Sequence, residues 1–163
     1  MTLDVVILAA GQGTRMRSKT PKVLHELAGR SLVRHVVDTA AGLESARLHV
    51  VVGHGGEAVR DALSNAGSTS DDRELAFCEQ AEQKGTGHAV AQALDGLGDG
   101  KVLVLYGDVP LIQARTLESL LEGVDEQHMA LLTVTLDDHV LAIAVVRLGA
   151  QLQGAFLRAQ THG

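Results

Sequence analysis

Short runs of apolar residues, separated by amphipathic segments, place the strongest constraint on how this chain can fold. The strand candidates are Leu3–Ala9, Leu48–Val52, Leu75–Cys78, Val102–Tyr106 and Met129–Leu136. Several runs are apolar at consecutive rather than alternate positions, which is typical of strands in a parallel sheet that is covered on both faces. Aromatic residues make up only 2% of the 163 residues, so the core must consist mainly of Val, Leu, Ile and Ala.

Helix-like segments lie between these runs. Ser31 can cap a helix that begins at Leu32, and further helices are predicted over Glu57–Leu63, Thr86–Leu97 and Thr116–Val124. This alternation predicts a single α/β domain with a Rossmann-like, doubly wound, mostly parallel sheet and helices on both faces. Ligands of such folds bind beyond the carboxyl ends of the strands.

The charge and the cysteine content restrict the class of protein. The formal net charge is −6, which argues against non-specific nucleic-acid binding but not against a locally basic nucleotide site. Cys78 is the only cysteine, so no internal disulfide can form. No stretch predicts a membrane span, and the first apolar run is too short for a signal peptide. We therefore expect a cytoplasmic protein with no nucleic-acid or membrane partner.

The segment LAAGQGTRMRSKTPK follows the first predicted strand, and residues 10–22 of it are called the glycine loop below. Gly11 and Gly13 allow the backbone to approach a phosphate, and exposed N–H groups favour an anion. Met16 stands where a dinucleotide-binding motif would have its third glycine, and the ending of a P-loop is absent. Arg15 can donate two hydrogen bonds to phosphate oxygens, and Lys22 can supply a point charge. The alternative is a turn with solvated basic residues.

A second candidate segment runs from Gln80 to His88. The amide of Gln80 can both donate to and accept from the edge of a base. Gly85 permits a planar ring to approach closely, and Thr86 can cap the helix that follows. A glycine turn with a helix cap, without a binding role, is the alternative.

A third candidate segment places Asp108 and Gly107 directly after a buried strand. A carboxylate in this position is well placed to hold Mg²⁺, although Asp108 as a turn former or helix cap is the alternative. The glycine run after Val52 offers only His54 and is interpreted as a structural turn. His49 and His54 make no zinc pattern with cysteines, so we expect no structural metal.

Taken together, LAAGQGTRM, PKVLHELAGRSLVRHV, VVGHGG, QAEQKGTGHA and LYGDVPL resemble the sugar-nucleotide pyrophosphorylases. More narrowly, they resemble the uridyltransferase domains of the bacterial bifunctional N-acetylglucosamine-1-phosphate uridyltransferases, over roughly residues 3 to 138. The resemblance implies that UTP and N-acetylglucosamine 1-phosphate give UDP-N-acetylglucosamine and pyrophosphate, with Mg²⁺ as cofactor, in the synthesis of cell-wall precursors.

The resemblance also implies residue roles. Leu8 to Gly11 would run along the uridine, Gln80, Gly85 and Thr86 would read the uracil, and Tyr106 and Gly107 would line the nucleotide–sugar site. Arg15, Lys22 and Asp108 would be catalytic, the first two by gripping the triphosphate and Asp108 by binding the metal. The full nucleotide-binding set is Leu8, Ala9, Ala10, Gly11, Gly13, Lys22, Gln80, Gly85, Thr86, Tyr106, Gly107 and Asp108.

Beyond Asp138 the chain departs from the family pattern. Ile143 stands where the family has a glycine that contacts the nucleotide sugar, and the segments expected further downstream are not recognisable. The expectation is one incomplete nucleotidyltransferase domain over residues 1–163, with a divergent tail over 139–163 from a truncated or altered coding sequence. Within the tail, Val140–Val146 is a strand candidate.

Three functions are consistent with these features. The first is an active uridyltransferase, and the second is a catalytically impaired UTP-binding fragment of that enzyme. The third is an NAD-binding Rossmann domain, which the missing third glycine disfavours. UTP and N-acetylglucosamine 1-phosphate are the expected small-molecule partners, and homo-oligomerisation is left open.

Overall fold

A central sheet organises the described part of the chain. The computed structural model describes residues 2–11, 18, 20–53, 56–64 and 74–135, and the backbone of 140–148. The strands are β1 (Leu3–Ala9), β2 (Glu26–Leu27), β3 (Arg30–Ser31), β4 (Ala46–Gly53), β5 (Leu75–Gln80), β6 (Lys101–Tyr106), β7 (Ala130–Thr135) and β8 (Val140–Leu148). The α-helices are α1 (Leu32–Ala41), α2 (Glu57–Ser64), α3 (Thr86–Ala91) and α4 (Ala114–Glu122).

The strand order confirms the predicted doubly wound sheet. The main sheet has the order β5-β4-β1-β6-β8-β7, and β2 pairs with β3 in a separate hairpin. Strands β5, β4, β1 and β6 are parallel, whereas β8 is antiparallel to both β6 and β7. The chain leaves β1 toward β4 on one side and later returns to β6 on the other side. A crevice is therefore expected beyond the carboxyl ends of β1 and β6, between the loops that follow these two strands.

Both faces of β1 are buried, which explains its consecutive apolar residues. Val5 and Ile7 belong to a core cluster that also contains residues of α1, α2 and α4. Val6, between them, belongs to a second cluster that contains Ala89 and Val90 of α3. Successive side chains of a strand point to opposite faces, so one apolar run fills two cores.

The structure corrects the helix predicted over Thr86–Leu97. Helix α3 ends at Ala91, and a separate 3₁₀ turn follows over Leu94–Gly96. The N–H groups of Ala93 and Gly96 bond to carbonyls three residues earlier, which is the tighter 3₁₀ pattern. Ala93, which lies between the end of α3 and the 3₁₀ turn, is also buried. The apolar spacing of the sequence therefore continues beyond the end of the helix. Periodicity therefore reported the buried face correctly but not the length of the helix.

Helix starts also differ from the predictions. Ser31 occupies the N-cap of α1 as expected, but its side chain makes no capping bond. The N-cap of α3 is Gly85, with φ 92° and ψ 178°, and Thr86 is the first helical residue rather than the cap. Glycine fits that backbone conformation without strain, which is why it precedes the helix. Helix α4 begins at Ala114, two residues before the predicted start.

A buried carboxylate ties the sheet together at the end opposite the crevice. Asp4 of β1 is fully buried, and its Oδ2 accepts hydrogen bonds from Arg47 Nη2 at 2.7 Å and from the Gly98 N–H at 2.9 Å. Its Oδ1 lies 2.9 Å from Nε2 of the buried His49. Burial raises the pKa of Asp4, but the hydrogen bonds from Arg47, Gly98 and His49 outweigh it, so the pKa lies below its usual value. The ionised carboxylate therefore connects β1, β4 and the segment before β6.

Within the described ranges, no helix has the length and apolar character that a membrane span requires.

Candidate active site

A pocket opens at the carboxyl edge of the parallel strands. It has a volume of about 360 Å³ and is shaped by the segments that follow β1, β5 and β6. Its lining residues are Leu8, Ala10, Gly11, Lys22, Val23, Gln80, Gln83, Gly85, Thr86, Ala89, Tyr106 and Asp108. The fold therefore brings the three segments selected from the sequence to one place.

Four predicted site residues are not in that lining. Ala9 is buried in the core cluster under the sheet, and Gly107 packs against the backbone of β1. Gly13 and Arg15 lie outside the described residues. The roles proposed for all four stay predictions.

The start of the glycine loop is held by the neighbouring strand. A Cβ on Gly53, the last residue of β4, would lie 2.9 Å from the carbonyl oxygen of Ala10. Only a glycine leaves room for the loop to pass so close to β4, which is consistent with a structural turn after Val52. Around Gly11 itself there is open space, because a Cβ there would meet nothing within 4 Å. The backbone of Gly11 is thus accessible to a ligand. His54, the other residue considered in that turn, is outside the described ranges.

Gln83 is a pocket residue that the sequence did not reveal as one. Its Nε2 donates a hydrogen bond to the carbonyl oxygen of Ala10 and so links the segment after β5 to the glycine loop. The peptide group is planar and trans, so fixing the Ala10 carbonyl also fixes the direction of the Gly11 N–H. Gln83 stood in a segment already under consideration, but its partner is 73 residues away. Nothing local marks such a contact.

Lys22 and Asp108 face each other across the pocket. Lys22 Nζ lies 2.6 Å from Asp108 Oδ2, and the two side chains are 45% and 28% exposed. The buried Val23 anchors the short 3₁₀ turn that carries Lys22. An ion pair with this exposure contributes only about 0–1 kcal/mol. A ligand with stronger charges can therefore separate the two groups at small cost.

The loop after β6 fits tightly onto β1. The Gly107 N–H donates to the Leu8 carbonyl oxygen at 2.9 Å. A Cβ on Gly107 would lie 2.9 Å from that same oxygen, which is too close for an ordinary side chain. This close approach sets the position of Asp108, whose carboxylate contacts Lys22 at the end of the glycine loop.

The segment that follows β5 carries the candidate base-reading groups of the pocket. Gln80, at the end of β5, is buried, and its Nε2 donates to the Gly85 carbonyl oxygen at 3.2 Å. A Cβ on Gly85 or on Gly87 would meet nothing within 4 Å. A planar ring therefore has room to lie against this backbone.

Asp108 is the described residue best suited to hold a metal ion. Within the described part of the chain, no group of three or more His, Cys, Asp or Glu side chains converges as a metal site. Magnesium, however, is commonly bound by one or two carboxylates together with substrate phosphates and water. Asp108, which lines the pocket together with Lys22 and Gly11, fits a phosphate-bridged ion of that kind and not a closed protein site.

The parallel sheet and the pocket at the strand ends define the class as a Rossmann-like α/β domain. A family model described as the MobA-like NTP transferase domain matches residues 5–162. The chain therefore belongs to this family of NTP transferase domains.

Curated proteins of high sequence identity to this chain carry one name. The chain is 67% identical over 138 residues to the bifunctional protein GlmU of Chromohalobacter salexigens. The aligned region covers 85% of this chain and 29% of that protein. It is 59% identical over 138 residues to the bifunctional protein GlmU of Stutzerimonas stutzeri, with the same coverage of 85% and 29%. The chain thus spans less than a third of the length of these curated relatives.

Solved structures share the fold at low sequence identity. A nucleotidyl transferase from Methanothermobacter thermautotroptrophicus superposes with a TM-score of 0.74 at 21% identity, over 94% of this chain and 74% of that chain. The 4-diphosphocytidyl-2C-methyl-D-erythritol synthase from Anaerococcus prevotii gives a TM-score of 0.65 at 15% identity, over 98% of this chain and 75% of that chain. These likenesses establish the Rossmann-like fold.

Proposed function

We propose that this domain is a uridyltransferase that joins UTP and N-acetylglucosamine 1-phosphate to give UDP-N-acetylglucosamine and pyrophosphate. The observation that carries the proposal is one pocket in which Ala10 and Gly11 at the start of the glycine loop, the Gln80 side chain and the Lys22–Asp108 pair meet. The high identity to proteins named bifunctional protein GlmU supports the choice of substrates.

The charges of the described pocket residues suit a reaction between two negatively charged substrates. A sugar phosphate must approach the α-phosphorus of a triphosphate, so two polyanions have to be brought together and the charge on departing pyrophosphate stabilised. Lys22 is positioned to exchange its bond with Asp108 for a bond to phosphate oxygens. The backbone of Gly11 is open to a phosphate or a ribose, and Arg15 is proposed as a second cation. Positioning and charge stabilisation supply most of the catalysis of phosphoryl transfer.

Asp108 is released for another partner when Lys22 turns to the phosphates. Mg²⁺, when bound there, would neutralise phosphate charge and orient the triphosphate. The reaction needs no nucleophile from the protein, because an oxygen of the sugar phosphate attacks the α-phosphorus of UTP directly. The role of the protein is therefore to bind the two substrates, to orient them and to neutralise their phosphate charges.

The test is a pyrophosphate-release assay with UTP, Mg²⁺ and N-acetylglucosamine 1-phosphate, beside calorimetry of UTP binding. We expect UTP to bind and pyrophosphate to be released only when the sugar phosphate is present. Lys22→Met should lower the rate by about 10²–10³-fold, as for loss of one charge-stabilising donor. Lys84→Met is the matched control, because Lys84 also pairs with a carboxylate, that of Glu82, but does not line the pocket.

A second candidate is a UTP-binding fragment with impaired catalysis. It is motivated by the departure from the family pattern beyond Asp138, where Ile143 stands in place of a glycine that contacts the nucleotide sugar. UTP binding without pyrophosphate release would favour the fragment over the active enzyme. Competition of NAD against UTP for the pocket would instead support a dinucleotide-binding domain and contradict both.

A further inference from the structure

The amide of Gln80 is oriented by the protein before any base arrives. Gln80 is only 3% exposed. Its Nε2 lies 3.2 Å from the Gly85 carbonyl oxygen and 3.0 Å from Nδ1 of His88, the third residue of α3. A carbonyl oxygen can only accept, so the atom that faces it must be the NH₂ group and not the amide oxygen.

The contact to His88 defines the state of the imidazole. Nε2 of Gln80 has two hydrogens, and the Gly85 carbonyl uses one of them. The second has Nδ1 of His88 as its acceptor, which requires a neutral ring with its proton on Nε2. Gln92 Nε2 lies 3.4 Å from His88 Nε2 and donates to the His88 carbonyl oxygen at 3.0 Å. A neutral ring has one acceptor nitrogen, so the shorter and more buried contact from Gln80 takes it.

We propose that His88 is a specificity-determining positioning residue: together with the Gly85 carbonyl, it holds the Gln80 amide so that a bound base meets only its carbonyl oxygen. This inference rests on the proposed uridyltransferase function and extends it. Both amide hydrogens are used inside the protein, so Oε1 is the atom of Gln80 that a base can contact. The site would therefore read a hydrogen-bond donor on the base.

The two pyrimidines differ at the position that such an oxygen can read. Uracil carries a hydrogen on N3 and can donate to Oε1, whereas N3 of cytosine is an acceptor and would be repelled by it. Turning the amide over to suit cytosine would place Oε1 against the Gly85 carbonyl oxygen and against Nδ1 of His88. Oε1 and the Gly85 carbonyl oxygen would then face each other as two acceptors, and the ring could donate to Oε1 only by moving its proton from Nε2 to Nδ1. His88 thus disfavours CTP without touching the nucleotide.

The experiment compares UTP and CTP affinities, measured by calorimetry with Mg²⁺, in three forms of the chain. In His88→Leu one amide hydrogen of Gln80 loses its acceptor, and we expect the preference for UTP to fall by about tenfold, as for one hydrogen bond. In His88→Asn the side-chain oxygen takes the place of Nδ1, and the preference should be retained. A simple loss of packing at position 88 would weaken both nucleotides together and leave their ratio unchanged.

The outcomes separate this inference from the proposed function. Wild-type preference for UTP that persists in His88→Leu overturns the role of His88 alone. A wild-type chain that binds neither UTP nor CTP overturns the uridyltransferase proposal and this inference with it. If His88→Leu does not fold, the ¹⁵N shifts of the wild-type imidazole decide. A protonated Nε2 and bare Nδ1 at His88 support the inference, and the opposite tautomer overturns it.

Discussion

Replacing Asp4 by alanine should destabilise the fold without touching the pocket. Asp4 lies in the second position of β1, at the end of the sheet away from the glycine loop. It accepts three hydrogen bonds, from Arg47, His49 and the backbone of Gly98. Removal of the carboxylate leaves all three donors without their acceptor.

The size of the effect follows from the exposure of each donor. The Arg47 side chain is 51% exposed and can return to water, whereas that of His49 is only 7% exposed. Breaking a fully buried ion pair costs about 3–5 kcal/mol, and an exposed pair contributes about 0–1 kcal/mol. Because the Arg47 side chain can be re-solvated and the buried His49 cannot, we expect Asp4→Ala to lower the free energy of unfolding by about 3 kcal/mol. Arg47→Ala should cost about 1 kcal/mol or less.

Urea unfolding of the wild type, Asp4→Ala, Asp4→Asn and Arg47→Ala measures these values. A loss below about 0.5 kcal/mol for Asp4→Ala, which is typical of ordinary surface substitutions, would refute the reasoning. A loss in Arg47→Ala as large as that in Asp4→Ala would also contradict it, because the exposed partner would then carry the whole effect.

The acid dependence gives an independent check. The pKa of Asp4 in the folded chain lies below the ordinary value of 3.8. A depressed carboxyl pKa stabilises the fold fully above the unfolded value, and this contribution is lost as the pH falls through the folded value. The stability difference between wild type and Asp4→Asn should therefore be constant at neutral pH and should shrink below about pH 3.8. Other carboxylates cancel in this difference.

Three further outcomes are expected. Gly107→Ala should lower the free energy of unfolding by about 1–3 kcal/mol, measured in urea, because its Cβ would lie 2.9 Å from the Leu8 carbonyl oxygen. Gln83→Leu should weaken UTP binding by about 2–10-fold in calorimetry with little change in stability, because the glycine loop loses one hydrogen bond. Asp108→Asn should reduce pyrophosphate release by about 10²–10³-fold. Asp125→Asn, in an exposed turn, is its control, and equal rates in both variants would contradict a role for Asp108.

The sequence predicted the parallel part of the fold well because that information is local. The consecutive apolar residues of β1, β4 and β6 mark strands with two buried faces, and Leu3–Ala9 was correct at both ends. Caps and helix ends were predicted less well. Whether Thr86 or Gly85 precedes α3 depends on a backbone angle, and whether α3 continues beyond Ala91 depends on its packing against the sheet.

The hairpin of β2 and β3 was also missed. Each of its strands has only two residues, too few for any alternation to show. Its turn needs positive φ at Ala28 and Gly29, at 52° and 77°, and alanine is not a residue that predicts such a conformation.

The site was predictable to the extent that it follows from topology. Parallel strands end at one edge, so segments after β1, β5 and β6 had to lie near each other once the fold was known. Pairwise contacts could not be read in this way. The bonds from Gln83 to Ala10 and from His49 to Asp4 join residues 73 and 45 positions apart. Their existence depends on strand order and register, which no short motif encodes.

The position of β8 has a consequence for synthesis of the chain on the ribosome. Among the described strands, β7 pairs with β8 alone, and β8 lies between it and β6. Translation delivers β7 first, at about 5–20 residues per second, so its backbone and the exposed Leu131 and Val134 emerge before any partner exists. A nascent chain paused between residues 135 and 148 thus presents an open strand to other polypeptides. We expect this nascent chain to need chaperones more than the finished domain does.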